Sequence, residues 1–199
     1  MKSAGTRRET PRLSLLAALL ILGSAPARAQ KPSNQASREL KMTVLVDSPV
    51  QPPARLPKFR VELHNIADHD LILNLGMMLA NGRRQYADAI ILTIVDPQGK
   101  TRQFALKGPA GIAGRWDPLI VPLPVASAFS IPIDLDKYWS AASQEFDYKF
   151  ARGTYLLQAQ FTGKGVSQQE ANPDVKGLAL MPCWTGTATS NQLPFKVAN

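Results

Sequence analysis

The sequence predicts an all-β protein: a single Ig-like antiparallel β-sandwich of about seven to nine strands, with one short helix near residues 134–142. Three observations carry this. Apolar residues recur at every second position in a series of short runs, the period of a strand with one buried face. Clusters of Gly, Pro, Asn and Asp punctuate those runs at regular intervals. Between them there is no long amphipathic helical pattern of the kind that the crossovers of a parallel sheet require.

The N-terminus stands apart from the fold. Lys2, Arg7, Arg8 and Arg12 surround the start of an apolar run over 13–23, and Ala27-Arg28-Ala29 places small residues at the cleavage-defining positions. Residues 1–29 are therefore expected to be a cleaved secretory signal. The run is too short to cross a hydrocarbon core of about 30 Å, and no lipobox cysteine follows it. Residues 30–37 are polar and small, the composition of a tether, which leaves 38–199 as the sandwich domain. Export to a periplasmic or extracellular location follows from the signal.

The signal also carries half of the formal net charge of +8. Residues 1–29 hold five Lys or Arg and one Glu, so the mature chain keeps 18 basic and 14 acidic residues, a net +4. A nucleic-acid partner, which needs a concentrated basic face, is not expected. No second long apolar run exists, so no membrane span is expected after cleavage. Cys183 is the one cysteine, so no intrachain disulfide forms and the core must hold itself together.

Taken in order, Phe59, Val61 and Leu63 alternate with Arg60, Glu62 and His64; Leu71, Leu73 and Leu75 form a second apolar face. Residues 89–95 are apolar nearly throughout, the pattern of a central strand covered on both sides. Phe129, Ile131, Ile133 and Leu135 alternate next, with Pro132 marking an edge or a bulge. Tyr155, Leu157, Ala159 and Phe161 form another strand, and Leu193, Phe195 and Val197 a last one, with Pro194 again at an edge. Residues 96–99 (Asp-Pro-Gln-Gly) suit a type I turn, and 81–84 suit another. Long connections are expected over 108–118 and 163–182. Asp134 or Asp136 is the expected N-cap of the short helix.

His64 and His69 are the only histidines, and Asp68 and Asp70 flank the second. Zinc needs three or four converging ligands and calcium six or more oxygens. If 59–63 and 71–75 are neighbouring strands, the segment between them reads as their turn, so neither metal nor other cofactor is expected.

The spacing Phe59, Val61, Leu63, Asn65, followed by a polar turn and Leu71–Leu75, resembles the start of bacterial Ig-like sandwiches. These include the intracellular proteinase-inhibitor domain family and the sandwich segment that accompanies deuterolysin-type metalloproteases. The likeness continues through Asp96-Pro97-Gln98-Gly99-Lys100, through Val121-Pro122-Leu123 and 129–139, and through Arg152 to Phe161 with its Gly-x-Tyr opening. It implies the sandwich fold and, as an alternative function, protease inhibition. The signal departs from an intracellular role, and no inhibitory loop maps onto the chain.

Catalytic chemistry is not expected. There is no Gly-x-Ser-x-Gly elbow, His-Glu-x-x-His, P-loop or dinucleotide glycine pattern, and both histidines fall in one segment. Cys183 reads as a small buried hydrophobe against Trp184, or alternatively as a partner in an intermolecular disulfide. The candidate binding residues are Arg83, Arg84 and Tyr86 in the segment 76–86, and Arg115 and Trp116 in 108–118, since Arg and aromatics anchor interfaces. Trp116 serves equally as a plug for the open end of the sandwich. Met77 and Met78 add adaptable apolar surface or core filler. The expected function is an exported, non-catalytic module that contacts an envelope or extracellular protein through loops at one end. Inhibition or carbohydrate binding by Trp116, Trp139 or Trp184 is the alternative. The pattern leaves the oligomeric state open.

Overall fold

The computed structural model describes residues 38–47, 56–106, 113–140, 148–167, 177 and 180–197, with the backbone alone for Trp139. The expected signal and tether lie outside the described residues. The strands are β1 (Leu40–Val46), β2 (Phe59–Asn65), β3 (Leu71–Leu79), β4 (Gln85–Tyr86), β5 (Ile90–Val95), β6 (Thr101–Leu106), β7 (Trp116–Leu123), β8 (Ala128–Ile133), β9 (Tyr138–Trp139), β10 (Gly153–Gly163), β11 (Gly186–Thr189) and β12 (Leu193–Val197). All pairings are antiparallel. Three sheets result: β1-β2-β8, then β11-β10-β5-β6-β9 with β12 also on β10, and β4-β3-β7.

The fold class is thus all-β and sandwich-like, and the described residues form twelve strands where about seven to nine are expected. Three causes explain the surplus. β4 and β9 have two residues each, too short to show a period. β6 and β7 carry polar or proline positions that blur the alternation. The β11–β12 edge is one run broken by a bulge: from Gln160 to Leu157 is three steps on β10, whereas their partners Thr189 and Leu193 are four apart. The expected helix over 134–142 is one 3₁₀ turn, Leu135–Lys137, capped by the Asp134 side chain on the Asp136 N–H. Tyr138 leaves it directly into β9, and residues 141–147 lie outside the described ones.

The core follows the period-two reading. Phe59, Val61, Leu63, Leu73, Leu75, Ile90, Leu92, Leu157 and Phe161 are wholly buried. β5 is central in its sheet, between β10 and β6, but Ile91, Thr93 and Val95 are half-buried, so its second face is only partly covered. Phe59 of β2 meets Phe195 of β12 edge-on at 5.1 Å, which joins the sheet β1-β2-β8 to the six-stranded one. Tyr155 stacks on Phe195 and donates its hydroxyl to the Ala151 carbonyl at 2.9 Å. A tyrosine tied back to backbone just upstream of its strand is a device of Ig-type sandwiches. It gives the Gly-x-Tyr pattern a structural reason.

Polar side chains tie the sheets where ladders end. The bulge turns Asn191 toward β1, where its amide accepts from the Val44 N–H at 2.9 Å and donates to the Val44 carbonyl at 3.3 Å. Ser190 caps the Ala159 N–H from the same bulge. At the other edge, Asn65 N–H donates to the Ser127 carbonyl, so alternation along β2–β8 leaves the backbone of Ala128, Ser130 and Pro132 facing away from β2. Pro132 therefore occupies an edge position where no ladder N–H is needed. Pro194 sits likewise on β12, which pairs with β10 alone.

Candidate functional site

The histidine segment is not a hairpin turn. β2 and β3 belong to different sheets, so residues 66–70 cross between them. Asn65, 2% exposed, organises the crossing. Its amide donates to the carbonyls of His69 (2.9 Å) and Leu123 (2.8 Å), and its oxygen accepts the Ala67 N–H (2.9 Å). Asp70 accepts from the Val125 N–H, fastening the next turn. His64 bonds Glu62 on the wet face of β2, while His69 and Asp68 form an exposed pair at 2.9 Å. That hydrogen bond holds the imidazole above its ordinary pKa and the Asp68 carboxyl below its own. Among the described residues no group of three or more His, Cys, Asp or Glu is placed to hold a metal ion.

The two candidate loops come together on the sheet β4-β3-β7. They are shorter than expected: Gly76–Leu79 belong to β3, Tyr86 to β4 and Trp116–Pro118 to β7. A bulge in β3 between Asn74 and Met77 re-aims its end. Gly76 makes this possible, with φ of 136° and no room for a Cβ against the Tyr86 carbonyl and Asp88. Asn74, buried, receives the Gly76 N–H on its side chain. Beyond the bulge, Met77 opposes Tyr86 and Leu79 opposes Trp116 across the two flanks of β3. The two rings consequently meet above that strand, edge-on at 5.4 Å.

The five candidate residues differ in what they can do. Arg83 and Arg84 are exposed on the turn between β3 and β4, where Asn81 accepts the Arg83 N–H. Tyr86 and Trp116 are half-buried, so each offers one surface and packs the other. Arg115 is committed elsewhere: its Nη2 lies 3.0 Å from Asp117 Oδ2, and Asp117 is only 6% exposed. Removing that guanidinium would strand a buried carboxylate. Met77 and Met78 are half-buried, and Met78 packs against the core.

Two adjoining hollows extend this surface. One, about 430 Å³, is bounded by Arg83, Arg84, Tyr86 and Lys137. The other, about 370 Å³, runs between β8 and the sheet β4-β3-β7, past Leu75, Leu119, Phe129 and Ile131. Gln85, Leu106 and Lys137 border both. Sequence reasoning missed this cleft because its walls come from strands far apart in the chain; Pro132 was the one signal that β8 is an edge.

Trp184 and Cys183 lie elsewhere. Trp184 is buried, stacks on Phe161 at 5.7 Å and donates its indole N–H to Glu39 at 3.0 Å. Cys183 is half-buried rather than fully enclosed, and burial pushes its thiol above the ordinary pKa. The Trp139 side chain lies outside the described ones.

Fold and site together define an antiparallel β-sandwich-like protein with an aromatic and cationic surface on the three-stranded sheet β4-β3-β7. Comparison with known proteins finds no matching family model and no matching curated relative.

Proposed function

We propose that the protein is an exported, non-catalytic binding module of a bacterial envelope that contacts a protein partner through the sheet β4-β3-β7. The observation that supports this most is the joining of both candidate segments on one strand. Tyr86 and Trp116 form a ring pair over β3, with Arg83 and Arg84 exposed beside it. Rigid aromatics backed by a sheet, and flanked by exposed guanidinium groups, are the composition of interface anchors. Trp184 is buried in the core, which withdraws one support from the carbohydrate reading. The resemblance to inhibitor domains supports the sandwich and adds no loop for a protease cleft.

The test is a crosslinked pull-down of the tagged protein, exported by its own signal, with Arg83→Glu/Arg84→Glu beside the wild type. These side chains are exposed, so the double variant keeps the fold. Arg115→Ala is unsuitable, because Asp117 would lose its ion pair. A specific partner lost in the double variant is expected; a partner retained at wild-type yield would overturn the reading.

A further inference from the structure

The cleft beside β8 has one wall made of unpaired backbone. β8 ends its sheet, and the outward N–H and C=O groups of Ala128 and Ser130, with the Pro132 carbonyl, bond no other described residue. Six consecutive residues, 129–134, line the cleft, which is the signature of a strand edge rather than of a compact ligand pocket. Its opposite wall is apolar, with Leu75 and Leu119. Edges of this kind are ordinarily blunted by charge, bulge or cover. Among the described residues of β8 only Pro132 blunts it, and only at one end.

The charges are placed asymmetrically along this edge. Phe59 pairs with Ile133, so Lys58 lies at the C-terminal end of β8, as does Lys137. Arg83 and Arg84 border the hollow that opens from the same end. Asp47 and Asp134 also line the cleft, but Arg60 pairs with the first at 3.4 Å and Lys137 with the second at 3.6 Å. Lys58, Arg83 and Arg84 form no ion pair with a described residue.

We propose that β8 accepts an extended segment of a protein partner as an added antiparallel strand, with apolar side chains in the cleft and acidic residues at the strand's N-terminal end. An antiparallel strand begins where β8 ends, so its first residues meet Lys58, Arg83 and Arg84. Alternate side chains then point between Leu75, Leu119 and Phe129, while the others face solvent. Backbone bonds at Ala128 and Ser130 supply pairing, and the cationic end supplies direction. The inference rests on the protein-partner reading and specifies the partner's chemistry.

The experiment measures fluorescence anisotropy of the purified protein with a labelled octapeptide, Asp-Asp-Val-Thr-Val-Thr-Val-Gly. Two further probes are its Lys-Lys counterpart and an analogue N-methylated at alternate residues, which cannot donate to a ladder. Ser130→Pro removes an outward N–H that β2 does not use, so the sheet is retained. The acidic probe is expected to bind, with about tenfold weaker binding for the Lys-Lys probe, for the N-methylated probe and for Ser130→Pro. Binding undetectable to about 1 mM, or equal binding of all three probes, would overturn the proposal. So would concentration-dependent dimerisation abolished by Ser130→Pro, which assigns the edge to a second copy. A pull-down partner lost with Arg83→Glu/Arg84→Glu but retained with Ser130→Pro rejects strand addition and leaves the binding-module reading standing.

Discussion

Replacing Asn65 tests whether one buried amide holds the crossing between two sheets. The side chain makes three hydrogen bonds of 2.8 to 2.9 Å, to Leu123, His69 and Ala67. Leu123 is itself 2% exposed, so its carbonyl would gain little from water. At about 1 kcal/mol per bond, Asn65→Ala costs on the order of 3 kcal/mol. For a chain of this size that lowers Tm by roughly 6–12 °C. Asn65→Asp separates hydrogen bonding from packing, since it keeps shape and the acceptor for Ala67. It also replaces the NH2 group and its two N–H donors by one oxygen that faces both carbonyls. The introduced carboxyl is buried without a cation, so its folded-state pKa rises. Its destabilisation is therefore smallest at acid pH, where it is protonated and can donate to Leu123, and grows as pH rises through that pKa. Urea unfolding followed by tryptophan fluorescence at pH 4.5 and 7.5 measures both effects. A loss below about 1 kcal/mol for Asn65→Ala, with no pH dependence of the Asn65→Asp deficit beyond that of wild type, would refute the reasoning.

Other consequences are equally direct. A Cβ at Gly163 would overlap the Trp184 ring and carbonyl, so Gly163→Ala should lose about 2 kcal/mol or more and red-shift the emission of the stacked indole; unchanged emission and stability would contradict that packing. The His69 imidazole is raised from its ordinary 6.5 by Asp68, so its NMR titration midpoint should lie above 6.5 and fall in Asp68→Asn. By linkage, the pair's contribution is fully present between the ordinary values of 3.8 for Asp68 and 6.5 for His69; it is lost as pH rises through the raised His69 midpoint and as pH falls through the lowered Asp68 one. The Cys183 thiol, half-buried and raised by desolvation, should react with a maleimide at pH 7.5 several-fold more slowly than in the urea-unfolded protein. Equal rates would show that the folded environment does not protect it.

Much of the fold was legible because burial on one face leaves a period of two. Phe59, Val61, Leu63, Tyr155, Leu157 and Phe161 all point inward as the alternation requires. Pro132 and Pro194 named edge strands correctly, since a ring without an N–H is excluded from the middle of a ladder. β1 is not among the strands expected from the sequence, although Leu40, Met42 and Val44 alternate on its buried face. β7 begins inside the connection expected over 108–118, because Pro118 and Pro122 mask its alternation, and both lie on an edge strand. In the candidate site, the residue types were readable and their commitments were not. Arg115 and Arg83 look alike in the chain, but only the first is tied to a buried carboxylate.

The sequence by itself determined the strongly alternating strands, their inward faces and the turns between them, because each depends on neighbours a few positions away, and its single cysteine leaves no intrachain disulfide. Tertiary structure alone decided that β2 and β3 part into different sheets and that Asn65 and Asn191 close the gaps. It also decided that Tyr86 and Trp116 meet over β3. Those outcomes depend on register and on which sheet each strand joins. Period two says which way a side chain points and is silent on which strand it will face.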